Sequence, residues 1–506
     1  MHLWLALVGG ALHPLALAPL AARPLALVAP LALLIALEQK PQRGALTGYG
    51  YGLGLFGVGA SWVYVSMQRY GGIGIATSAA LTAAFVAGLA LLYALLGALY
   101  ARGRAQFPAP QLTLFPLLWL GIEWLRGWLL TGFPWLYLGT ASLDTPMAGW
   151  LPLVGTLGTG YLLVLLTALV WRIGTDLWPT AENTTSWRAR MRAALVGLTA
   201  ASALVVVGAI GNGLEWVTPR PHTQMEVALV QPSVPQSLKW DPLVADATVE
   251  QLQVDSEPLW GVADLIVWPE AAIPLFPVQI ADVLETLQAR ALQSGTALIT
   301  GIPTLAPAGD DDFIAHNSLI TLGATPGRYD KQRLVPFGEY VPLERWLRGL
   351  IRFFDLPMSS FHRGAADQPP LRAAGLQVLP LICYEVAYAG LARRTPVDLL
   401  LTVSNDAWFG DSWGPHQHLE IARLRAIENG RPLVRGTNDG YTALIDHRGK
   451  VLQRSERFVR QTLRGKIQPT DGQTPWSRWG RWPLWLPLIS VACLWLGHRR
   501  HHHRTA

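Results

Sequence analysis

The chain has 506 residues, 51% of them apolar and only 15% charged, with a mean hydropathy of +0.27. That balance excludes an ordinary soluble enzyme and points to membrane-spanning segments, and the length allows two or more domains. The net charge of +6 does not argue for nucleic acid: the basic residues stand in short groups beside apolar runs, not on one aromatic-interleaved face, and read as topology signals.

From Met1 to about Asn212 the hydropathy pattern predicts seven spans, near 3–19, 24–38, 45–67, 72–101, 111–130, 149–171 and 193–211. The first two are short and flank Ala21-Ala22-Arg23-Pro24, so a hairpin fits them as well as two full spans. A cleaved signal peptide fits the first run poorly, since no basic stretch precedes it and further spans follow. Lys40 and Arg43, Arg102 and Arg104, and Arg172, Arg188, Arg190 and Arg192 mark alternate loops, the intervening ones being poorer in charge except for Arg23 and Arg69. By the positive-inside rule the N-terminus is then cytoplasmic, and everything after Asn212 lies on the far side. In the fifth span Glu123 and Arg126 stand three apart at membrane depth, and Leu125-Arg126-Gly127-Trp128 runs into Thr131-Gly132-Phe133-Pro134-Trp135. Two readings stand side by side. Either the two charges pair or Arg126 snorkels, or they form a polar patch for a lipid head group.

Composition shifts at Thr218-Pro219-Arg220-Pro221, which reads as a linker. Beyond it, strand-like segments at 225–230, 265–268, 297–302, 317–322, 327–336, 376–383, 398–403, 431–435 and 441–445 alternate with helical ones near 244–257, 278–293 and 416–429. Such alternation predicts a layered α/β domain. Leu343 to Phe361, with aromatics among arginines, packs on that domain or forms an amphipathic arm on the bilayer. Ala407-Trp408-Phe409-Gly410-Asp411-Ser412-Trp413-Gly414 is a glycine-hinged aromatic loop and a lid candidate. His416 and His418 lack a convincing third ligand and read as loop or helix-start residues, so no metal is implied. An eighth span near 482–497 precedes a basic tail, and Cys493 inside it reads as a packing residue. The division is therefore 1–212 for a seven-span domain, 220–470 for an extracytoplasmic α/β domain and 480–498 for a last span.

Three strand ends carry reactive groups. Cys383 closes Leu376-Gln-Val-Leu-Pro-Leu-Ile-Cys383, Glu270 follows Val267-Trp268-Pro269, and Lys331 lies in Tyr329-Asp330-Lys331 ahead of Leu334-Val335-Pro336-Phe337-Gly338-Glu339. A neutral thiol needs a base before it attacks an acyl group. A glutamate in a dry pocket, its pKa raised, suits that task, and a lysine suits an oxyanion. Each residue alone has a bland reading, as a buried strand cysteine or a salt-bridged surface charge.

These three stations resemble the Glu–Lys–Cys set of the nitrilase superfamily, over roughly 225–465. The flanking spans, the Leu-Arg-Gly-Trp…Thr-Gly-Phe-Pro-Trp stretch and Val230-Gln-Pro-Ser-Val-Pro-Gln-Ser-Leu-Lys-Trp240 narrow this to a resemblance to the apolipoprotein N-acyltransferase family. The resemblance implies a multi-span helical membrane domain of about eight spans in all, joined to an α-β-β-α sandwich. It implies a bacterial inner-membrane enzyme with no cofactor. Its donor would be a membrane phospholipid, typically phosphatidylethanolamine, and its acceptor a diacylglyceryl-cysteine lipoprotein. It implies Cys383 as nucleophile, Glu270 as base and Lys331 with a backbone N–H near Tyr384 as oxyanion holder. Glu339 and Glu385 would support them, and Trp240 and Asn317 match further functional positions. Arg126 and Trp408 complete the candidate set, one at the polar patch and one at the lid. A membrane-tethered amidase or nitrilase acting on a small amide is the alternative use of the same triad.

Overall fold

A computed structural model describes the chain except for residues 72–73, 179–184, 309–311, 341–359, 394–395 and 506, and except for the side chains of 497–505. Most of the expected amphipathic arm at 343–361 lies outside the described residues. The chain forms two compact units. One comprises Met1–Ser61, Ala79–Glu215 and Arg478–Ala506, and the other Trp62–Ser78 and Trp216–Ser477.

The first unit is helical. Its helices are α1 (His2–Leu12), α2 (Leu25–Gln39) and α3 (Gly44–Gly59), followed after α4 (Trp62–Tyr70) by α5 (Ile75–Gly103), α6 (Pro110–Arg126), α7 (Leu151–Leu177) and α8 (Trp187–Gly213), and by a last helix at Trp485–Thr505. Among the described residues, three helical stretches are long and apolar enough to cross a membrane: Ile75–Gly103, Pro146–Leu177 and Trp187–Gly213. His2–Ala16, Leu25–Gln39 and Trp482–Leu496 are shorter apolar helices. Glycines let α1 and α3 touch backbone to backbone. A Cβ on Gly10 would lie 1.9 Å from the Tyr51 carbonyl oxygen, and one on Gly54 2.1 Å from that of Leu7. Close packing of this kind replaces the hydrophobic drive that lipid cannot supply.

One expectation fails here. The apolar run 45–67 is not a single span: α3 ends at Gly59, and Trp62–Tyr70 forms the separate α4, which belongs to the second unit. Ser66, Gln68, Arg69 and two tyrosines make that stretch too polar for hydrocarbon.

The second unit holds fourteen strands among its described residues: β1 (Val217–Pro219), β2 (Met225–Gln231), β3 (Leu265–Val267), β4 (Ala297–Pro307), β5 (Phe313–Leu322), β6 (Gly327–Asp330), β7 (Leu371–Ala373), β8 (Leu376–Ile382), β9 (Leu399–Ser404), β10 (Leu433–Thr437), β11 (Ala443–Ile445), β12 (Val451–Arg454), β13 (Gln461–Ile467) and β14 (Thr470–Gly472). They form two six-stranded sheets, ordered β13-β2-β3-β4-β5-β6 and β12-β11-β10-β9-β8-β7, and a β1–β14 ribbon. The two-residue period of a strand explains the layering. Val227, Leu229, Leu265 and Val267 face the second sheet, where they pack with Val378, Ile382, Leu399, Leu401 and Val403. The alternate residues Ala228, Val230, Ile266 and Trp268 face outward. They are covered by Val249 and Leu252 of α9 (Pro242–Ser256) and Leu287 of α10 (Ala281–Ser294). The helix Gly414–Asn429 packs on β10 of the second sheet. The expected strand 327–336 stops at Asp330, because the backbone N–H groups of Gln332 and Arg333 turn to the Glu385 carboxylate instead of a neighbouring strand. The ribbon pairs Val217–Pro219 with Thr470–Gly472, so the two ends of this unit lie side by side.

Candidate active site

β2, β3 and β4 run parallel, as do β8, β9 and β10, and reactive groups stand just beyond their carboxyl ends. Cys383 follows the last residue of β8 and opens a short turn, Cys383–Ala387. Its φ of +52° is left-handed, a conformation unfavourable for a residue with a Cβ. The thiol is half-buried and free of any disulfide.

Glu270 lies three residues beyond β3, after Trp268, whose indole N–H donates to the Ser256 hydroxyl at 2.9 Å. The Pro269–Ala271 backbone presses on Gly301 so closely that a Cβ there would lie 2.4 Å from the Ala271 nitrogen and 2.5 Å from the Pro269 oxygen. Lys331 follows β6 and is 1% exposed. Its Nζ donates to Glu270 Oε1 at 2.9 Å and to Glu339 Oε1 at 2.8 Å. Asn317 Nδ2 donates to the same two oxygens, at 2.8 and 2.9 Å. Two carboxylates thus share one cation and one amide. The Asn405 backbone N–H donates to the other Glu270 oxygen at 2.9 Å, and that of Val335 to the other Glu339 oxygen at 2.8 Å.

These contacts set the charges. Burial alone would raise the Glu270 pKa, but Lys331, Asn317 and Lys239 outweigh it and hold the carboxyl below its ordinary value. The dry, raised-pKa glutamate expected from sequence is therefore a stabilised carboxylate. Burial pulls Lys331 down, yet Glu270 and Glu339 push it well above the lysine range. Burial and the nearby Glu270 charge push the Cys383 thiol up against the opposing pull of Lys331, so at rest it is neutral.

Residues 226–475 match the family profile of the carbon-nitrogen hydrolases, and residues 9–169 that of the apolipoprotein N-acyltransferase N-terminal domain. Apolipoprotein N-acyltransferase of Azotobacter vinelandii is 42% identical over 520 residues, covering 99% of this chain and 96% of that protein. This chain belongs to the apolipoprotein N-acyltransferase family. The family members of Vibrio parahaemolyticus and Pseudomonas aeruginosa are 40% and 41% identical, each over 97% of this chain.

In this member of the apolipoprotein N-acyltransferase family, Glu385 ties the lysine segment to the cysteine strand. Its carboxylate accepts from the N–H groups of Gln332 at 2.7 Å, Arg333 at 3.1 Å and Ile382 at 2.8 Å, and from the Tyr329 hydroxyl at 3.2 Å. Burial pushes its pKa up to about 7 against those donors. Tyr384 is buried, edge-on to Tyr388. The buried indole N–H of Trp240 has no hydrogen-bond partner among the described residues. The Trp408 carbonyl accepts from Ser66 Oγ at 2.8 Å, and its ring meets Tyr70.

Arg126 lies in the helical unit and is 1% exposed. Its guanidinium donates to the Trp135 and Leu136 carbonyls, stacks on Phe56 and Tyr137, and lies 3.8 Å from Glu123, which accepts from the Leu138 N–H at 2.8 Å. The guanidinium thus ties the end of α6 to the Trp135–Leu136 backbone, as the structural reading of this pair expects, while Arg126 Nε and Glu123 Oε2 have no hydrogen-bond partner among the described residues.

Sequence reasoning missed several groups. Lys239 is buried, and its Nζ donates to the Glu270 carbonyl at 2.8 Å. Burial lowers its pKa to about 8. It stands in the 230–240 run, next to Trp240. His418, read as a helix-start residue, is buried with Asp406 and Arg435, and its Nε2 lies 3.2 Å from the Cys383 carbonyl oxygen. Only the His-x-His spelling hinted at it.

Proposed function

We propose that this protein moves an acyl chain from a membrane phospholipid, phosphatidylethanolamine being the expected donor, to the α-amine of a diacylglyceryl-cysteine lipoprotein. Cys383 is the nucleophile. Glu270, held as a carboxylate, takes the thiol proton as sulfur attacks the ester carbonyl. Lys331 and a backbone N–H near Tyr384 hold the oxyanion. When the carbon–oxygen bond breaks, the lysophospholipid leaves with the proton from Glu270, and a thioester remains. The amine then attacks the thioester, Glu270 takes an amine proton, and sulfur recovers it as the amide forms. Because the resting thiol is neutral, deprotonation accompanies attack, and little free thiolate awaits other electrophiles.

The observation that carries this reading is the buried Lys331 bridging Glu270 and Glu339 beside a strained cysteine. The family match along nearly the whole chain supports lipoprotein acylation over hydrolysis of a small amide. The apolar helices support a membrane enzyme. We assign it to the bacterial inner membrane, with residues 220–470 extracytoplasmic between a seven-span domain at 1–212 and an eighth span at 480–498. Confining both substrates to one bilayer raises their effective concentration.

Intact mass spectrometry of the detergent-purified chain with phosphatidylethanolamine and no acceptor tests the mechanism. One added acyl mass, released by hydroxylamine and absent in Cys383→Ala, is expected. No gain in folded protein, with ammonia released from small amides, would favour the tethered amidase.

A further inference from the structure

α4 falls in sequence between apolar helices yet packs within the catalytic unit. Trp62, Val65, Ser66, Arg69 and Tyr70 recur at three- and four-residue spacing and share one helix face. That face meets the turn that follows β9. The Trp62 ring stands edge-on to Phe409 at 4.8 Å, Ser66 Oγ donates to the Trp408 carbonyl at 2.8 Å, and Tyr70 packs on Trp408 at 5.9 Å. A Cβ on Gly410 would touch Val65 Cγ1 at 3.0 Å. Each residue from Trp408 to Gly410 therefore rests on α4.

The other side of that turn seats a histidine. Phe409 lies edge-on to the His418 ring at 6.0 Å. Asp406, which opens the turn, lies 3.0 Å from His418 Nδ1 and accepts from Arg435 Nη2 at 2.7 Å; the same Nη2 is 3.1 Å from Nδ1. His418 Nε2 is 3.2 Å from the Cys383 carbonyl oxygen. A carbonyl can only accept, so this contact is a hydrogen bond in the tautomer with the hydrogen on Nε2, in which Nδ1 accepts from Arg435 Nη2. A left-handed cysteine persists only where its surroundings over-determine it, and this bond is one such restraint.

We propose that α4 and His418 form a brace for the nucleophile: α4 holds the Trp408–Gly410 turn, the turn seats the His418 ring, and the ring pins the Cys383 carbonyl so that the thiol points where it reacts. Trp62, Ser66 and His418 are positioning residues, and the proposal rests on Cys383 being the nucleophile.

The test uses the full chain in detergent, with maximal acylation rate and KM measured on phosphatidylethanolamine and Cys383 alkylation measured with iodoacetamide. Trp62→Ala and His418→Leu are expected to lower acylation and alkylation by about 10- to 100-fold, the scale of a displaced reacting group, with KM within about twofold. His418→Gln, which restores an N–H donor, should recover most of the loss. Ser66→Ala should lower both rates by a smaller factor. Should His418→Leu fail to fold, Trp62→Ala and Ser66→Ala still decide, because neither touches Cys383. Folded variants at wild-type rates, a raised KM with unchanged rates, or a His418→Gln no better than His418→Leu would overturn the brace. Absence of a thioester in the unaltered chain would instead overturn the catalytic reading beneath it.

Discussion

Glu339→Gln probes the shared-cation arrangement at its least redundant point. The Lys331–Glu339 contact of 2.8 Å corresponds to about 6 kcal/mol of attraction at an effective dielectric constant near 20. The same Nζ is 2.9 Å from Glu270 Oε1, so the two carboxylate oxygens lie within about 5.7 Å of each other, and their repulsion removes about 3 kcal/mol of that gain. The substitution deletes both terms. The amide oxygen keeps a hydrogen bond to the lysine ammonium, worth about 2 kcal/mol, but its NH2 then faces the Val335 N–H, and two donors opposed cost about as much. The expected net loss is about 3 kcal/mol, which lowers Tm by about 6–12 °C in a domain of this size. Lys331 would also act on Glu270 alone, making it a weaker base and slowing acylation by about tenfold or more. Thermal unfolding in detergent and single-turnover acylation read the two effects. An unchanged Tm would refute the charge balance, and a lowered Tm with an unchanged rate would refute its link to catalysis.

Gly301→Ala forces the Pro269–Ala271 backbone away from β4, costing about 1–3 kcal/mol and, with Glu270 displaced by a fraction of an ångström or more, up to about 100-fold in acylation rate; wild-type kinetics in the variant would contradict this. Glu385 has its pKa raised by burial from 4.5 to about 7, so the native state binds the extra proton. Its stabilising contribution is full below pH 4.5 and is lost as pH rises through 7, about 3 kcal/mol in all; denaturation from pH 5 to 8 should show the decline, and Glu385→Gln should flatten it. Arg126→Met leaves Glu123 buried beside unbonded carbonyls and should cost about 3–5 kcal/mol, read as lost thermal stability with unchanged phospholipid KM in protein that still folds. A raised KM at full stability would favour the head-group reading.

Two members of the candidate triad, Glu270 and Cys383, were legible because each ends an apolar, β-prone run, a local pattern; Lys331 follows the polar Gly327–Asp330 and was legible only through its resemblance to the family motif. The α/β layering was legible for the same reason: alternate residues of β2 and β3 go to opposite faces. What escaped notice depends on contacts distant in sequence. Lys239 acquires its role from a carbonyl 31 residues away, and His418 from one 35 residues away. The low Glu270 pKa escaped too, since it comes from Lys331, Asn317 and Lys239, which the fold gathers around it. The 45–67 run misled because composition averaged over a window hides the break between Gly59 and Trp62.

The pairing of β13 with β2 has a consequence for biogenesis. Seven register pairs, from Gln461–Gln231 to Ile467–Met225, complete the first sheet. β2 is therefore synthesised some 230 residues ahead of the strand that covers its edge. At typical elongation rates of about 5–20 residues per second, that edge stays open for roughly 10–50 s. During that interval it is a template for pairing with other chains, the condition under which an extrusion-coupled chaperone matters most. The delay also means that Cys383 leaves the ribosome before its sheet sandwich can close, so the nascent thiol exists for a time without the buried groups that surround it in the fold.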